Sequence, residues 1–275
     1  MNKLLIGILL IFFIFIYFYY RKPRVVNISN YNLEKDGCCF YNNLLSPKEI
    51  IRIKSLIKEG KISSIKQEVV NNYKLKSKIL GKLGSGYIFQ DYIFIIKKSA
   101  IHTCHRDANG SFFNFNQKHK SYTLLIFLEN MSDSLGFIPN SHKNINNNYI
   151  NLSNNVITFK SKPGDALLFD SNLIHVGGIN DSPDNLRLQL KICNYEDLNE
   201  LEYYNNYNKI LNEENRYPDW VRKIQKNISC FIPGLANLSQ GYIQSEAKDS
   251  KNSLLSDIFA QVFYGNSKFY NLTNI

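Results

Sequence analysis

Residues 186–192 read LRLQLKI, and in this stretch apolar and polar side chains alternate without a break. Because successive side chains of a β-strand point to opposite faces, the alternation predicts a strand with its leucines on one face and its polar residues on the other. Similar β-type runs, separated by clusters of Gly, Asn, Pro and Ser, precede it at residues 87–97, 122–128, 156–159 and 166–169. Several short strands spaced in this way are typical of an antiparallel barrel or jelly roll.

Helices are predicted on both sides of these strands. Ser46 is followed by Pro47 and then by Glu49, the pattern of a capped helix start. We therefore expect a helix from residue 47 to about residue 59. Residues 196–215 are predicted to be helical and polar, and the apolar patch at 254–263 to form a helix that packs on the barrel.

His105, Asp107 and His175 together offer two imidazoles and one carboxylate. This is the ligand set of the facial triad that binds Fe(II) in oxygen-activating enzymes. Residues two apart in an extended segment share one face, so His105 and Asp107 can point together into the mouth of a barrel. We predict these three as the metal ligands and the catalytic centre. The alternative is that His105 is an ordinary loop histidine, since a His-x-Asp triplet alone is a weak signal.

The remaining histidines and the cysteines are weaker candidates. His102, His119 and His142 are each less favoured as ligands than the triad. Cys104 lies close to two histidines, which leaves a zinc site as an alternative, but a second cysteine pair is missing. The five cysteines are an odd number without framework spacing, which predicts free thiols in a reducing compartment.

The chain carries a formal net charge of +10 at pH 7. Its basic residues are dispersed and form no stripe with interleaved aromatic residues, so a nucleic-acid partner is disfavoured. A basic surface that faces solvent or anionic lipid fits this distribution better.

Residues 4–20 read LLIGILLIFFIFIYFYY and contain no charge. As a helix they would span about 25 Å, at the short end for a bilayer crossing, and Arg21, Lys22 and Arg24 follow directly. We expect a single-pass membrane anchor at residues 1–21 and a tether at 22–35, with the catalytic domain on the cytoplasmic side. The alternative is a cleaved signal peptide, although no small-residue cleavage site follows the apolar run.

Several motifs resemble those of the phytanoyl-CoA dioxygenase-like family. The turn at residues 139–143, PNSHK, resembles that family's PGSHK, and Asp36-Gly37 followed by residues 43–50, NLLSPKEI, is similar to its opening segment. Residues 163–170, PGDALLFD, followed by His175, Asn180 and Arg187, resemble its distal ligand segment. The resemblance covers residues 33–193. This chain departs from the family in having Asn140 for the first Gly of the turn and Leu188-Gln189 after the Arg.

The resemblance implies a mainly β fold: a double-stranded β-helix (jelly-roll or cupin-like) barrel with flanking helices, here preceded by the transmembrane helix. It also implies Fe(II), 2-oxoglutarate and O2, with ascorbate in a supporting role. Carried over by position, His105, Asp107 and His175 match the metal ligands and Arg187 matches the residue that binds 2-oxoglutarate. On the strand pattern alone, a solvent-facing Arg187 is an equal alternative.

These expectations combine into a membrane-anchored dioxygenase that hydroxylates an unknown organic substrate and releases succinate and CO2. Residues 36–229 would form the dioxygenase domain and residues 230–275 a C-terminal extension packed on it. The substrate could be a lipid, a small metabolite or a protein side chain. Two alternatives are a catalytically inactive barrel that acts as a membrane-tethered scaffold, and a nucleic-acid demethylase of the same chemistry.

Overall fold

The computed structural model describes residues 3–98, 100–107, 117–144, 150–151, 155–179, 185–200, 210–233 and 254–269. Its α-helices are α1 (Lys3–Tyr20), α2 (Leu33–Asp36), α3 (Pro47–Lys58), α4 (Ile62–Val70), α5 (Tyr73–Leu83), α6 (Asp219–Phe231) and α7 (Leu254–Tyr264). Its strands are β1 (Arg24–Val25), β2 (Cys38–Tyr41), β3 (Tyr87–Ile96), β4 (Tyr122–Phe127), β5 (Leu135–Phe137), β6 (Ile157–Thr158), β7 (Ala166–Asp170), β8 (His175–Gly177) and β9 (Arg187–Asn194).

The strands form two sheets that share an apolar core. The larger sheet is antiparallel, with strand order β2-β7-β4-β9-β3, and the smaller has the order β1-β6-β5-β8 with β1 parallel to β6. Leu125 and Phe169 of the larger sheet pack with Leu135, Phe137 and Ile157 of the smaller one. Alternate residues of β4 and β7 therefore fill the space between the sheets.

Three helices cover the opposite face of the larger sheet. Ile53 of α3, Ile65 of α4 and Ile79 of α5 are buried in one cluster with Leu188 and Leu190 of β9. The molecule is therefore a mixed α/β structure, and the predicted mainly β class is wrong. Between the apolar N-terminal segment and the strands, the sequence predicted one helix, whereas three helices, α3, α4 and α5, pack on the sheet.

Local sequence signals located individual elements correctly. The predicted helix that begins at residue 47 is α3, and Ser46 and Glu49 form the expected capping box, with the Ser46 amide 2.7 Å from Glu49 Oε2. The predicted runs correspond to β3, β4, β6, β7 and β9. Of the predicted helix at 196–215, residues 196–200 belong to a short 3-10 helix, Tyr195–Glu200, and residues 201–209 lie outside the described residues.

The predicted transmembrane anchor is wrong: among the described residues no helix is long and apolar enough to cross a membrane. Helix α1 has 18 residues, or about 27 Å, against a hydrocarbon core of about 30 Å. Its last turns pack on α6 instead, with the rings of Phe18 and Phe231 5.9 Å apart and Asn227 donating to the Phe18 carbonyl oxygen at 2.6 Å. Three predictions that depended on this anchor lose their support: the single-pass localisation, the membrane partner through residues 4–20 and the cytoplasmic placement.

The C-terminal helix packs against the edge strand β3. Phe259, Ala260 and Phe263 of α7 are buried in one cluster with Phe94 and Ile96 of β3. This contact brings α7 next to residues 100–105, which lead from β3 into the predicted metal site.

Candidate metal centre

The two histidines of the predicted triad are held together by their backbones. His105 and His175 exchange a pair of N–H···O=C hydrogen bonds, both 2.8 Å long, in an isolated antiparallel bridge. Directly paired residues project their side chains to the same face of a ladder, and here the ring centroids lie 4.4 Å apart. Strand β8 therefore fixes the position of the segment that carries His105.

Asp107 completes the cluster from the same segment as His105. Its Oδ1 atom lies 3.7 Å from His105 Nε2 and 3.5 Å from His175 Nε2. One ligand atom from each of the three side chains lies within 4.8 Å of the other two. Two imidazole nitrogens and one carboxylate oxygen at this separation can contact a single metal ion.

Hydrogen bonds at the far side of each ring set the tautomers. His105 Nδ1 lies 2.7 Å from the Thr103 carbonyl oxygen, and His175 Nδ1 lies 2.9 Å from that of Leu173. A carbonyl oxygen only accepts, so each Nδ1 carries the hydrogen and each neutral ring presents the Nε2 lone pair to the cluster. Burial lowers the pKa of His105, which favours this ligating form.

The second carboxylate oxygen of Asp107 faces away from the imidazoles. Thr123 Oγ1 donates to Oδ2 at 2.7 Å, and Lys191 Nζ donates to it at 2.5 Å. Burial alone would raise the pKa of Asp107, but the Lys191 cation beside Oδ2 holds the pKa well below its usual value. The carboxylate therefore remains charged, with one oxygen turned towards the two Nε2 atoms.

Arg187 lies in the same cleft as the triad. The lining of this cleft includes the triad, Arg187 and Gln189. Arg187 is 6 % exposed and donates to the Asn185 side chain at 2.5 Å. Its buried Nε has no hydrogen-bond partner among the described residues. The solvent-facing alternative for Arg187 is therefore wrong.

A buried arginine connects the metal-binding segment to the PNSHK turn. Arg106 is 1 % exposed and donates to the carbonyl oxygens of Ser141, Asn144 and Asn172. Asn140 has φ of 68°, a left-handed conformation that Gly and Asn adopt more readily than other residues. The departure from glycine at this position therefore preserves the turn.

The C-terminal helices hold the same segment from its other side. Tyr264 of α7 and Thr103 share a hydrogen bond of 2.6 Å between their hydroxyl oxygens, and Thr103 is the residue whose carbonyl orients His105. His102 Nε2 lies 3.0 Å from Gln225 Oε1 of α6. Burial, followed by Arg222, lowers the pKa of His102 to about 3, so this ring is a neutral structural contact.

None of the weaker candidates joins the cluster within the part of the chain that the structure describes. His119 Nε2 lies 3.3 Å from Glu196 Oε2, and His142 Nε2 lies 3.0 Å from the Glu34 carbonyl oxygen. All five cysteines are buried and free, and Cys104 is fully buried. Asn180, which contributed to the family resemblance, lies outside the described residues.

Comparison with known families identifies this arrangement. Residues 65–188 match the family model described as phytanoyl-CoA dioxygenase (PhyH). The chain is phytanoyl-CoA dioxygenase-like. The matched segment contains the triad and Arg187. This dioxygenase depends on Fe(II) and 2-oxoglutarate, as the resemblance in its sequence implied, and uses O2.

The dioxygenase is also similar to solved structures at low sequence identity. HygX from Streptomyces hygroscopicus with nickel and 2-oxoglutarate bound is 12% identical, with 62% of this chain and 87% of that chain covered and a TM-score of 0.46. The epimerase SnoN in complex with Fe3+, alpha ketoglutarate and nogalamycin RO is 12% identical, with 59% and 80% covered and a TM-score of 0.47. No curated protein matches the chain.

Two residues that contact Asp107 were missed in the sequence. Lys191 was placed on the same strand face as Arg187, but nothing in the alternation indicated that it would pair with Asp107. Thr123 lies in the predicted run 122–128 between two apolar residues, and its polar side chain in a buried strand was the one available signal.

Proposed function

We propose that His105, Asp107 and His175 bind the Fe(II) of this dioxygenase and that Arg187 binds the distal carboxylate of 2-oxoglutarate. The reaction is hydroxylation of a C–H bond in an organic substrate, with release of succinate and CO2. The observation that carries the proposal is the convergence of three suitable ligand atoms within 4.8 Å, in a cleft that Arg187 also lines.

The donor set fits Fe(II) by its chemistry. Two neutral imidazoles and one carboxylate would hold the ion and would leave it coordination positions for a co-substrate and O2. The Thr103 and Leu173 carbonyls already hold both rings in the ligating tautomer, so the metal meets oriented ligands.

Arg187 fits a dicarboxylate for a separate reason. Its guanidinium is buried, which lowers its pKa to about 10, and its Nε has no hydrogen-bond partner among the described residues. A buried cation with an unused donor is stabilised by an anion that accepts from two of its nitrogens. The distal carboxylate of 2-oxoglutarate is such an anion.

When bound, the metal and 2-oxoglutarate supply the activation of O2, and the protein orients the reactants and excludes water. Apolar side chains of Ile96, Ile101, Leu135 and Leu211 line the cleft beside the triad. They lower the local polarity around the reacting C–H bond and limit side reactions with solvent.

We propose that residues 36–229 form the catalytic domain and that the C-terminal extension 230–275 supports it. The contact of Tyr264 with Thr103 supports this division. The extension then acts on the orientation of His105 through Thr103.

The test is succinate release by the full-length chain with Fe(II), ascorbate, 2-oxoglutarate and O2, beside a His105→Ala/Asp107→Ala variant. We expect iron-dependent succinate from the wild type and none from the variant, even without added substrate, because the variant lacks two of the three proposed metal ligands. A wild type that binds neither Mn(II) nor 2-oxoglutarate would refute the proposal and favour an inactive scaffold.

A further inference from the structure

Lys191 lies behind the triad, on the far side of Asp107 from the imidazoles. Its side chain is 3 % exposed, and its Nζ donates to Asp107 Oδ2 at 2.5 Å and to Thr123 Oγ1 at 2.9 Å. The lining of the cleft includes Arg187 and Gln189 of the same strand but not Lys191. Lys191 therefore contacts a metal ligand without facing substrate or co-substrate.

The charges that act on a metal ion at this site include those of Asp107, Lys191 and Arg187. Asp107 contributes one negative charge, and Lys191 balances it at hydrogen-bond distance. Arg187 contributes a further positive charge in the cleft, and the two imidazoles are neutral in the ligating form. A divalent metal ion would therefore enter a site whose single carboxylate charge is already neutralised.

The Lys191 cation has opposite effects on the binding of the metal ion and on the binding of 2-oxoglutarate. A cation beside Asp107 repels a divalent metal ion, and the low polarity of a buried site strengthens that repulsion. The same cation attracts 2-oxoglutarate, which carries two negative charges. The dianion in turn offsets the charge of the metal, so each ligand should bind better when the other is present.

We propose that Lys191 is a positioning residue that weakens binding of the metal alone and makes metal and 2-oxoglutarate bind cooperatively. It does so by holding the Oδ2 atom and the charge of Asp107. This inference rests on the proposed metal site. It assigns to Lys191 a role that differs from that of Arg187, which contacts the co-substrate itself.

The test uses Mn(II) as a redox-stable probe of the metal site in the full-length protein. Lys191→Met keeps the length of the side chain and removes its charge. Lys191→Gln also removes the charge but keeps a hydrogen-bond donor. Thr123→Val is the matched control, because it removes the other hydrogen bond to Oδ2 and leaves the charge in place.

Without 2-oxoglutarate, both Lys191 variants should bind Mn(II) about tenfold more tightly than the wild type, or better, because a like charge beside the site is gone. The factor by which 2-oxoglutarate increases Mn(II) affinity should shrink in both. Thr123→Val should stay within about threefold of the wild type in both measurements.

Thermal denaturation separates this role from simple packing. Removing Lys191 leaves Asp107 buried without its counter-charge, so the metal-free Tm should fall while the rise in Tm caused by Mn(II) should grow. Unchanged or weaker Mn(II) binding by both Lys191 variants would overturn the inference while the proposed metal site stands. A wild type that binds no Mn(II) even with 2-oxoglutarate would instead refute the metal site.

Discussion

Replacing Arg187 with Met should separate co-substrate binding from metal binding. Met keeps the volume of the aliphatic stem and removes the guanidinium. The described side-chain hydrogen bonds of Arg187 go to Asn185 alone, and none reaches the triad. The wild-type side chain is also a buried charge with an unpartnered Nε, so its loss should not lower the Tm by more than a few degrees.

The size of the effect follows from the burial of the site. Removing one partner of a buried, hydrogen-bonded charge pair costs about 2 to 5 kcal/mol. The midpoint of about 3 to 4 kcal/mol corresponds to a rise of about 100- to 1,000-fold in the Kd of 2-oxoglutarate. Mn(II) affinity measured without 2-oxoglutarate should change by less than about threefold, because the three ligands stay in place.

The assay is equilibrium binding of 2-oxoglutarate and of 2-oxopentanoate to the Mn(II)-loaded protein. The second compound lacks the distal carboxylate, so wild type and Arg187→Met should bind it equally weakly. Lys98→Met is the matched control: it also removes a cation from the cleft lining, but Lys98 is half exposed and paired with Glu214. It should change the Kd of 2-oxoglutarate by only a few-fold.

Two results would refute the assignment of Arg187. If Arg187→Met binds 2-oxoglutarate as the wild type does, the residue does not bind the distal carboxylate. If the variant loses affinity for 2-oxopentanoate by the same factor as for 2-oxoglutarate, its effect is on the shape of the site and not on the carboxylate.

Three further predictions concern residues around the site. Tyr264→Phe removes the hydrogen bond to Thr103 and should cost about 1 kcal/mol in urea unfolding and weaken Mn(II) binding, whereas unchanged Mn(II) affinity would show that α7 does not orient His105. His102 has a folded-state pKa of about 3, so between its unfolded value of 6.5 and that value only the unfolded state binds the proton. Stability should therefore fall with decreasing pH by up to about 1.4 kcal/mol per unit, and His102→Gln should show a shallower slope; an equal slope would exclude His102 as a source. Ser46→Ala should lose about 1 kcal/mol of stability from the capping box of α3 with no change in 2-oxoglutarate turnover, and a loss of turnover at full stability would contradict this.

The shared face of His105 and Asp107 could be predicted because the two residues are close in the sequence, whereas His175, 68 residues further on, was included for its chemistry. His105 and Asp107 share a face through their spacing, and the chemistry of two imidazoles and one carboxylate points to one class of metal site. The alternation in β9 placed Arg187 and Lys191 on one face and the leucines on the other, as the structure shows. Which face was buried could not be derived, because both are: helices cover one and the cleft lies against the other.

The fold class, the membrane anchor and the partner of Asp107 were not predicted correctly, because each depends on tertiary packing. Helices α4 and α5 have modest apolar stripes, and their existence as a layer depends on the face of the sheet that they cover. Helix α1 is strongly apolar, and hydropathy alone did not indicate that Phe18 would pack against Phe231 of α6. The pairing of Lys191 with Asp107 joins residues 84 positions apart, a separation at which sequence spacing carries no information.

The alternation in β9 also has a consequence for folding fidelity. This strand lies between β4 and β3 and hydrogen-bonds to both. A slip of one residue would turn Arg187, Gln189 and Lys191 into the apolar layer beneath α3–α5 and would expose Leu188 and Leu190 to the cleft. Two uncompensated cations in that layer would make the slipped register far less stable than the native one. Arg187 and Lys191, to which we assign co-substrate binding and an effect on metal affinity, thus also destabilise the slipped register. A chain that has formed this sheet in the native register therefore has both residues in place at the site.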